Sequence, residues 1–321
     1  MAVSGCRSKT FLKNKMDCQK SLFQLDLDIH YLNGAYMSPQ LRSVEAAGLE
    51  GVKRKNNPHL IPPADFFDEV AAIKNKYAKL IHARPEQIAI IPSVSYGMAS
   101  ALKNVSCKND QHALTIGDEF PSDVFSLQRW CLNQNAELIT IKKENTPGFN
   151  WSEKILAHIS TKSAVLVMST VHWADGTTFD LQQISERCQE TNTVLIVDGT
   201  QSGGALPIDL STTKIDVLIC AAYKWLLGPY SIGLAYFNNK FYDGVPLEES
   251  WMNRTNAHNF SRLSEYEMQY TPGAGRFNVG ESSHFIMMPM LHAAIQQLLK
   301  WIPENIQNYC QLLTRPLVNF M

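Results

Sequence analysis

Seven short apolar runs follow one another from residue 86 onward: "QIAIIPS", "HALTIGD", "ELITIKK", "AVLVMST", "TVLIVDG", "VLICAAY" and "SIGLAYF". Unbroken β-branched runs of this length fit strands buried on both faces, not strands with one wet side. Between several of them lie amphipathic stretches such as "PSDVFSLQRWCLNQN" and "DLQQISERCQETN". The alternation predicts an α/β chain with a mainly parallel, doubly wound sheet and helices on both faces. In such sheets ligands bind beyond the carboxyl ends of the strands. Reactive side chains therefore belong where these runs stop.

Two of the runs stop in a charge. "TVLIVDG" runs into Asp198 and "VLICAAYK" into Tyr223 and Lys224. Either charge alone reads as a solvated turn residue; an acid and a base at two neighbouring strand ends suggest a site. A third run ends in "IIPSVSYGMASAL", where a helix opens at Ser93 to Gly97. Free backbone N–H groups at that start, with the Ser95 hydroxyl, make an anion site, a plain helix N-cap being the alternative reading. A fourth leads into "GDEFPSDVF", which places Phe120, Ser122 and Asp123 after a strand.

The rest of the sequence narrows the chemistry. Its 321 residues carry a net charge of -1, with 45% hydrophobic and 18% charged residues, so no basic footprint points to nucleic acid or a membrane surface. No window reaches the roughly 18 apolar residues of a membrane span. Seven scattered cysteines without CxxC spacing fit a reducing compartment such as the cytoplasm. No Gly is followed by Lys, "GAGRFNVG" has Asn278 where a dinucleotide fingerprint needs Gly, and no histidine pair has zinc spacing, so no metal is expected. Residues 1–30 read as a tail, basic before its first acid at Asp17, with organellar import as the alternative. Residues 31–284 read as one large domain. From Ser283 the pattern is helical, with breaks at Pro289, Pro303 and Pro316, so 285–321 reads as the start of a small, truncated second domain.

A phosphate cradle, a stacking ring, a strand-end acid and a strand-end lysine together are what pyridoxal 5'-phosphate requires. Its aldehyde forms a Schiff base with a neutral lysine amine, and its pyridine nitrogen stays protonated against a carboxylate. At about 4 Å and an effective dielectric of about 20, such a pair contributes roughly 4 kcal/mol before desolvation.

With "YLNGAYMSP", "STVHWADGTTFDL", "VDGTQSGG", "AAYKWLLGP" and "GRFNVGESS", the chain resembles the aminotransferase class V family of fold-type I pyridoxal-phosphate enzymes, which includes cysteine desulfurases, isopenicillin epimerases and kynureninases. The resemblance implies that Lys224 carries the cofactor and Asp198 pairs with the pyridine nitrogen. It implies that Phe120 stacks on the ring, with Ser122 and Asp123 along its phosphate side. Val94, Ser95 and Tyr223 would bind phosphate, and Gln201 the phenolate oxygen or phosphate. Trp251 and Gly280, in "EESWMNR" and "GRFNVGESS", would complete a partner's site across a homodimer interface.

Departures from the family pattern matter too. Trp173 stands where desulfurases place an Asn facing the cofactor oxygen, and Phe120 stands in the loop where they carry a His. The family continues into a small domain that supplies an arginine for the substrate carboxylate, whereas this chain stops at Met321 and its Arg276 is placed to order a turn. The expected activity is chemistry at the α-carbon of a small amino acid, with transamination ahead of Cβ cleavage of the kynureninase or cysteine-lyase kind. A non-catalytic member that keeps the fold is the rival. The late cysteine, Cys310, lies in a helical pattern and reads as a buried apolar thiol, which weighs against desulfuration through a persulfide.

Overall fold

The computed structural model describes residues 16–26 and 28–320; the first half of the expected tail lies outside them. The seven apolar runs form seven strands, β1 Ile88–Ile91, β2 His112–Ile116, β3 Glu137–Ile141, β4 Ser163–Ser169, β5 Val194–Asp198, β6 Val217–Ala221 and β7 Gly233–Phe237. They make one sheet in the order β1-β7-β6-β5-β4-β2-β3. The pairs from β6 to β3 are parallel, and β7 alone runs antiparallel, to both of its neighbours. Six strands therefore deliver their carboxyl ends to one edge.

Successive residues of each strand divide between two cores, as a period of two requires. On one face Ile90, Leu114, Leu166, Leu195, Leu218 and Leu234 pack with α2 (Asp68–Leu80), α5 (Trp151–His158), α6 (Leu181–Thr191) and α7 (Met287–Trp301). On the other, Ile91, Val165, Val167, Ile196, Ile219 and Phe237 pack with α3 (Val94–Leu102) and α4 (Pro121–Gln134). Both faces are covered, which is why the strands read as continuous apolar runs. Helix α7 contributes Met288, Leu291, Ile295 and Leu298 to the same core as the strands. It also rests on α1 (Arg42–Arg54), where Val44 meets Ala294.

Local chemistry sets the ends of the helices. Pro121 occupies the first turn of α4, where its missing N–H costs nothing. The Asp180 carboxylate accepts from Gln183 N to start α6, and Asn192 ends that helix in the left-handed region at φ 56°. Two of the prolines expected to break the last helical stretch behave differently. Pro289 sits in the first turn of α7 and is tolerated there, and Pro303 begins α8 (Pro303–Phe320). Pro316 lies within α8 without ending it, because this part of the helix is exposed and water can take the carbonyl that loses its donor. Cys310, expected to be buried, is exposed on the same helix: its neighbours in the pattern have no layer over them.

The outer side of edge strand β1 is covered by a loop. Asn278 Oδ1 accepts Ile90 N at 2.9 Å and Val279 N donates to Ile90 O at 2.9 Å. That loop enters through Gly273, whose φ is 69° and where an added Cβ would run into the Glu86 carbonyl oxygen. Gly273→Ala is expected to lower the stability of the apoprotein by about 1–3 kcal/mol, from left-handed strain plus a contact with rigid backbone. Thermal and urea unfolding of the two proteins check this; an unchanged midpoint would show that the edge tolerates a shift.

Candidate active site

The shared edge gathers Val94, Glu119, Phe120, Ser169, Trp173, Asp198, Thr200, Gln201, Tyr223 and Lys224 around one cavity. Each arrives from the carboxyl end of a strand: Val94 after β1, Phe120 after β2, Ser169 at the end of β4, Asp198 at the end of β5, Lys224 after β6. Parallel pairing puts Ser169 level with Asp198 and Asp198 level with Ile219, so these ends lie side by side.

Asp198 is buried, and its Oδ1 accepts Thr200 N at 2.8 Å. A second buried acid, Asp123 of α4, faces it carboxyl to carboxyl. As an ionised group Asp123 has no donor for either oxygen; as a protonated one it donates to Asp198. Burial, with the charges of Asp198 and Glu119 adding, pushes Asp123 well above the usual carboxylate range. Asp198 is also raised by burial, but Thr200, Lys224 and the bond from Asp123 pull it back. The proton therefore sits on Asp123, and Asp198 remains the anion.

Lys224 follows the turn in which Ala222 N donates to Ile232 O at 2.9 Å. Its amine is buried, 5.6 Å from the Phe120 ring centre and 5.8 Å from that of Tyr223. Burial lowers its pKa, and Asp198 opposes that shift without cancelling it. A lysine held this way spends more time as the neutral amine, the form that attacks carbonyls.

Phe120 caps α4 and forms a wall of the cavity, with Trp173 set edge-on to it at 5.8 Å and 87°. The Trp173 indole N–H is spent on the Asp118 carbonyl at 2.7 Å, so Trp173 meets the cavity with its ring and not with a donor. Gln201 is similarly engaged: its Nε2 donates to Ala35 O at 3.0 Å and its Oε1 accepts Trp225 Nε1 at 2.9 Å. At the start of α3, Ser93 Oγ accepts Tyr96 N and lies 2.9 Å from Ser95 Oγ.

Of the site residues named from sequence, Asp123 does not line the cavity but lies against Asp198, and four others stand apart from it. Ser95 is exposed on the first turn of α3. Ser122 offers its carbonyl to Ser126 Oγ within α4. Trp251, 41% exposed, packs edge-on against Phe67 and Phe260. Gly280 N donates to Glu248 Oε2 at 2.6 Å. Arg276 orders its turn, as its place in the sequence suggested, by donating to Gly244 O and lying over the Tyr270 ring. Sequence reasoning passed over Glu119, Ser169 and Thr200. Ser169 and Thr200 could have been found from strand register, since both flank Asp198; Glu119 looks like any turn acid.

The residues fit pyridoxal phosphate by their unmet needs. Ser169 Oγ is buried at the cavity without a partner. The Asp198 anion is matched to a cationic ring nitrogen, Phe120 offers a flat apolar face, and the N–H groups opening α3 offer an anion site.

Comparison with known proteins places this geometry. The model of the aminotransferase class-V family matches residues 60–319. An uncharacterized aminotransferase of Bacillus subtilis, YcbU, is 27% identical over 251 residues, covering 77% of this chain and 64% of that protein. A kynureninase of Shouchella clausii is 22% identical over 307 residues, 87% of this chain and 69% of its own length. The cysteine desulfurase IscS of Shewanella loihica is 27% identical over 176 residues, 54% of this chain and 43% of its own length. The chain thus spans between under half and about two thirds of these relatives. Among solved structures, the cystine C-S lyase C-DES with glycine covalently linked to its PLP cofactor superposes at a TM-score of 0.80, with 18% identity over 93% of this chain and 78% of that one. The apo cysteine desulfurase of Thermococcus onnurineus gives a TM-score of 0.75 at 15% identity, over 94% of this chain and 74% of that one. The strand-end acid and lysine, the sheet that aligns them and the family match agree: the chain belongs to the aminotransferase class-V family.

Proposed function

We propose that this chain binds pyridoxal 5'-phosphate at Lys224 and transforms a small amino acid at its α-carbon, with transfer of the amino group as the favoured outcome. The observation that carries the reading is the buried anion of Asp198 across one cavity from an amine whose charge burial disfavours. Bound pyridoxal phosphate supplies an aldehyde for amines and a protonated ring that draws electrons from the substrate α-carbon.

The chain's own residues do the rest. Asp198 holds the proton on the ring nitrogen, and Asp123 keeps Asp198 in place by donating to it. Phe120, in the cavity wall, would cover one face of the ring and exclude water from it. The first N–H groups of α3 take the phosphate, with Val94 against it. Lys224 is then placed to take or return the α-proton, its lowered pKa suiting it to act as a base.

Transfer is favoured over a persulfide route by the cysteines in view. Cys220, nearest to Lys224 in sequence, is fully buried and its thiol is pushed up to about 12 by burial, and Cys310 lies on α8, away from the cavity residues. The reading extends to a cytoplasmic homodimer in which Trp251 and Gly280 meet the partner's site. Among the described residues, no helix is long and apolar enough to cross a membrane.

Purified protein mixed with pyridoxal phosphate should turn yellow, and borohydride should fix the cofactor on the peptide bearing Lys224; label on any other peptide removes the assignment. With a panel of amino acids, amino-group transfer to a 2-oxo acid is expected, whereas release of alanine, pyruvate or sulfide without an acceptor would establish cleavage instead. Asp198→Ala should still hold the cofactor but lose about a hundredfold or more in turnover, as the ring nitrogen loses its proton.

The proton assignment has its own test in the apoprotein. An acid whose folded pKa is raised binds an extra proton on folding, so its contribution to stability declines as pH rises from its ordinary value near 3.8 toward the folded one. Asp123→Asn, whose amide donates to Asp198 at any pH, should therefore be more stable than wild type at pH 8, with the gap closing as pH falls toward 4. Parallel stability curves with no closing gap would show that Asp123 is ionised in the fold.

A further inference from the structure

Glu119 has no role in the scheme above, yet it is 5% exposed and lies in the wall of the cavity. Its carboxylate is fully committed. Oε1 accepts Phe120 N at 2.8 Å, and Oε2 accepts Ser169 N at 2.7 Å. One side chain thus ties the loop after β2 to the last residue of β4, two adjacent strands of the sheet. Two further bonds run in the same direction: His172 Nε2 lies 3.1 Å from Gly117 O, and Trp173 Nε1 donates to Asp118 O. Those two could come from many residues, because they use main-chain carbonyls as acceptors. Glu119 differs in accepting two main-chain N–H groups at once, which needs two acceptor oxygens with no donor between them.

The two groups it holds are both parts of the cavity. Phe120 presents the ring wall, and Ser169 presents a buried hydroxyl without a partner. The carboxylate is also the third acid in a small volume, beside the protonated Asp123 and the Asp198 anion, and the Asp198 charge repels it. Burial of a third acid is a cost that stability alone would not favour.

We infer that Glu119 is a positioning residue for the cofactor site: by clamping the Phe120 and Ser169 amides it sets the plane of the ring wall and the aim of the Ser169 hydroxyl. The inference rests on the pyridoxal-phosphate reading above and adds a residue to it. An amide in its place has one acceptor and one donor, so one of the two N–H groups would face another donor and the loop would swing.

The test uses the apoprotein, titrated with pyridoxal phosphate and followed by tryptophan fluorescence and by visible circular dichroism, which reports a fixed, asymmetric cofactor. Glu119→Gln is expected to fold, to bind the cofactor on the order of tenfold more weakly, and to lose much of the dichroic band. In a chain already lacking both positioned groups, Phe120→Ala with Ser169→Ala, the added Glu119→Gln should cost less than about twofold. Binding and dichroism equal to wild type in Glu119→Gln, or a full tenfold loss in the background without Phe120 and Ser169 side chains, would overturn the inference. If wild type itself fails to bind, the functional reading falls first. If Glu119→Gln does not fold, amide exchange in the wild-type apoprotein decides: protected Phe120 and Ser169 amides support the clamp, and exchange at open-loop rates overturns it.

Discussion

An ionised carboxylate buried at the end of a central strand is costly unless its surroundings supply charge and donors. Asp198 is in that position, and much of the local structure meets its needs. Thr200 supplies an N–H, Asp123 supplies a proton, and Lys224, in its charged form, adds attraction across the cavity. Each of these has its own condition. Thr200 must turn back directly after β5, Asp123 must be kept protonated by burial in α4, and Lys224 must leave β6 toward the same cavity. The sheet satisfies all of them because β4, β5 and β6 run parallel, β4 and β5 end level and β6 runs two residues further.

The scaffold and the site divide the work between strands and loops. Outside the edge strand β3, most strand side chains are apolar and buried, and the two cores hold the strand ends to a fixed spacing. Chemistry begins one to three residues past the last apolar position: at Ser169, Asp198, Thr200, Tyr223 and Lys224. The loop after β2 lacks a strand's support, and three bonds to the end of β4 and its extension replace it, from Glu119, His172 and Trp173. That loop carries Phe120, so the ring wall is as fixed as those bonds make it.

The fold was largely legible before any coordinates, because burial on both faces leaves a simple mark, an unbroken apolar run. All seven runs became strands. The direction of β7 left no such mark, since a central strand reads the same whichever way it runs. Pro316 and Cys310 misled for a related reason: a helical pattern tells which residues share a face, not whether anything covers that face. At the site, Asp198 and Lys224 were visible as charges at the ends of apolar runs. Trp173 and Gln201 were visible as residues, but their donors turned out to be spent on Asp118 and Ala35, bonds that span 55 and 166 residues of sequence.

The sequence by itself determined the α/β class, the strands, the edge at which chemistry collects, and the pairing of an acid with a lysine there, because each follows from local periodicity and from charge where apolar runs end. Only the tertiary structure decided which of two facing acids keeps the proton, which donors remain free for a ligand, and that Glu119 holds two amides from different strands. Proton affinity and hydrogen-bond satisfaction depend on burial and on partners brought from far along the chain, and neither quantity exists until the chain has closed around them.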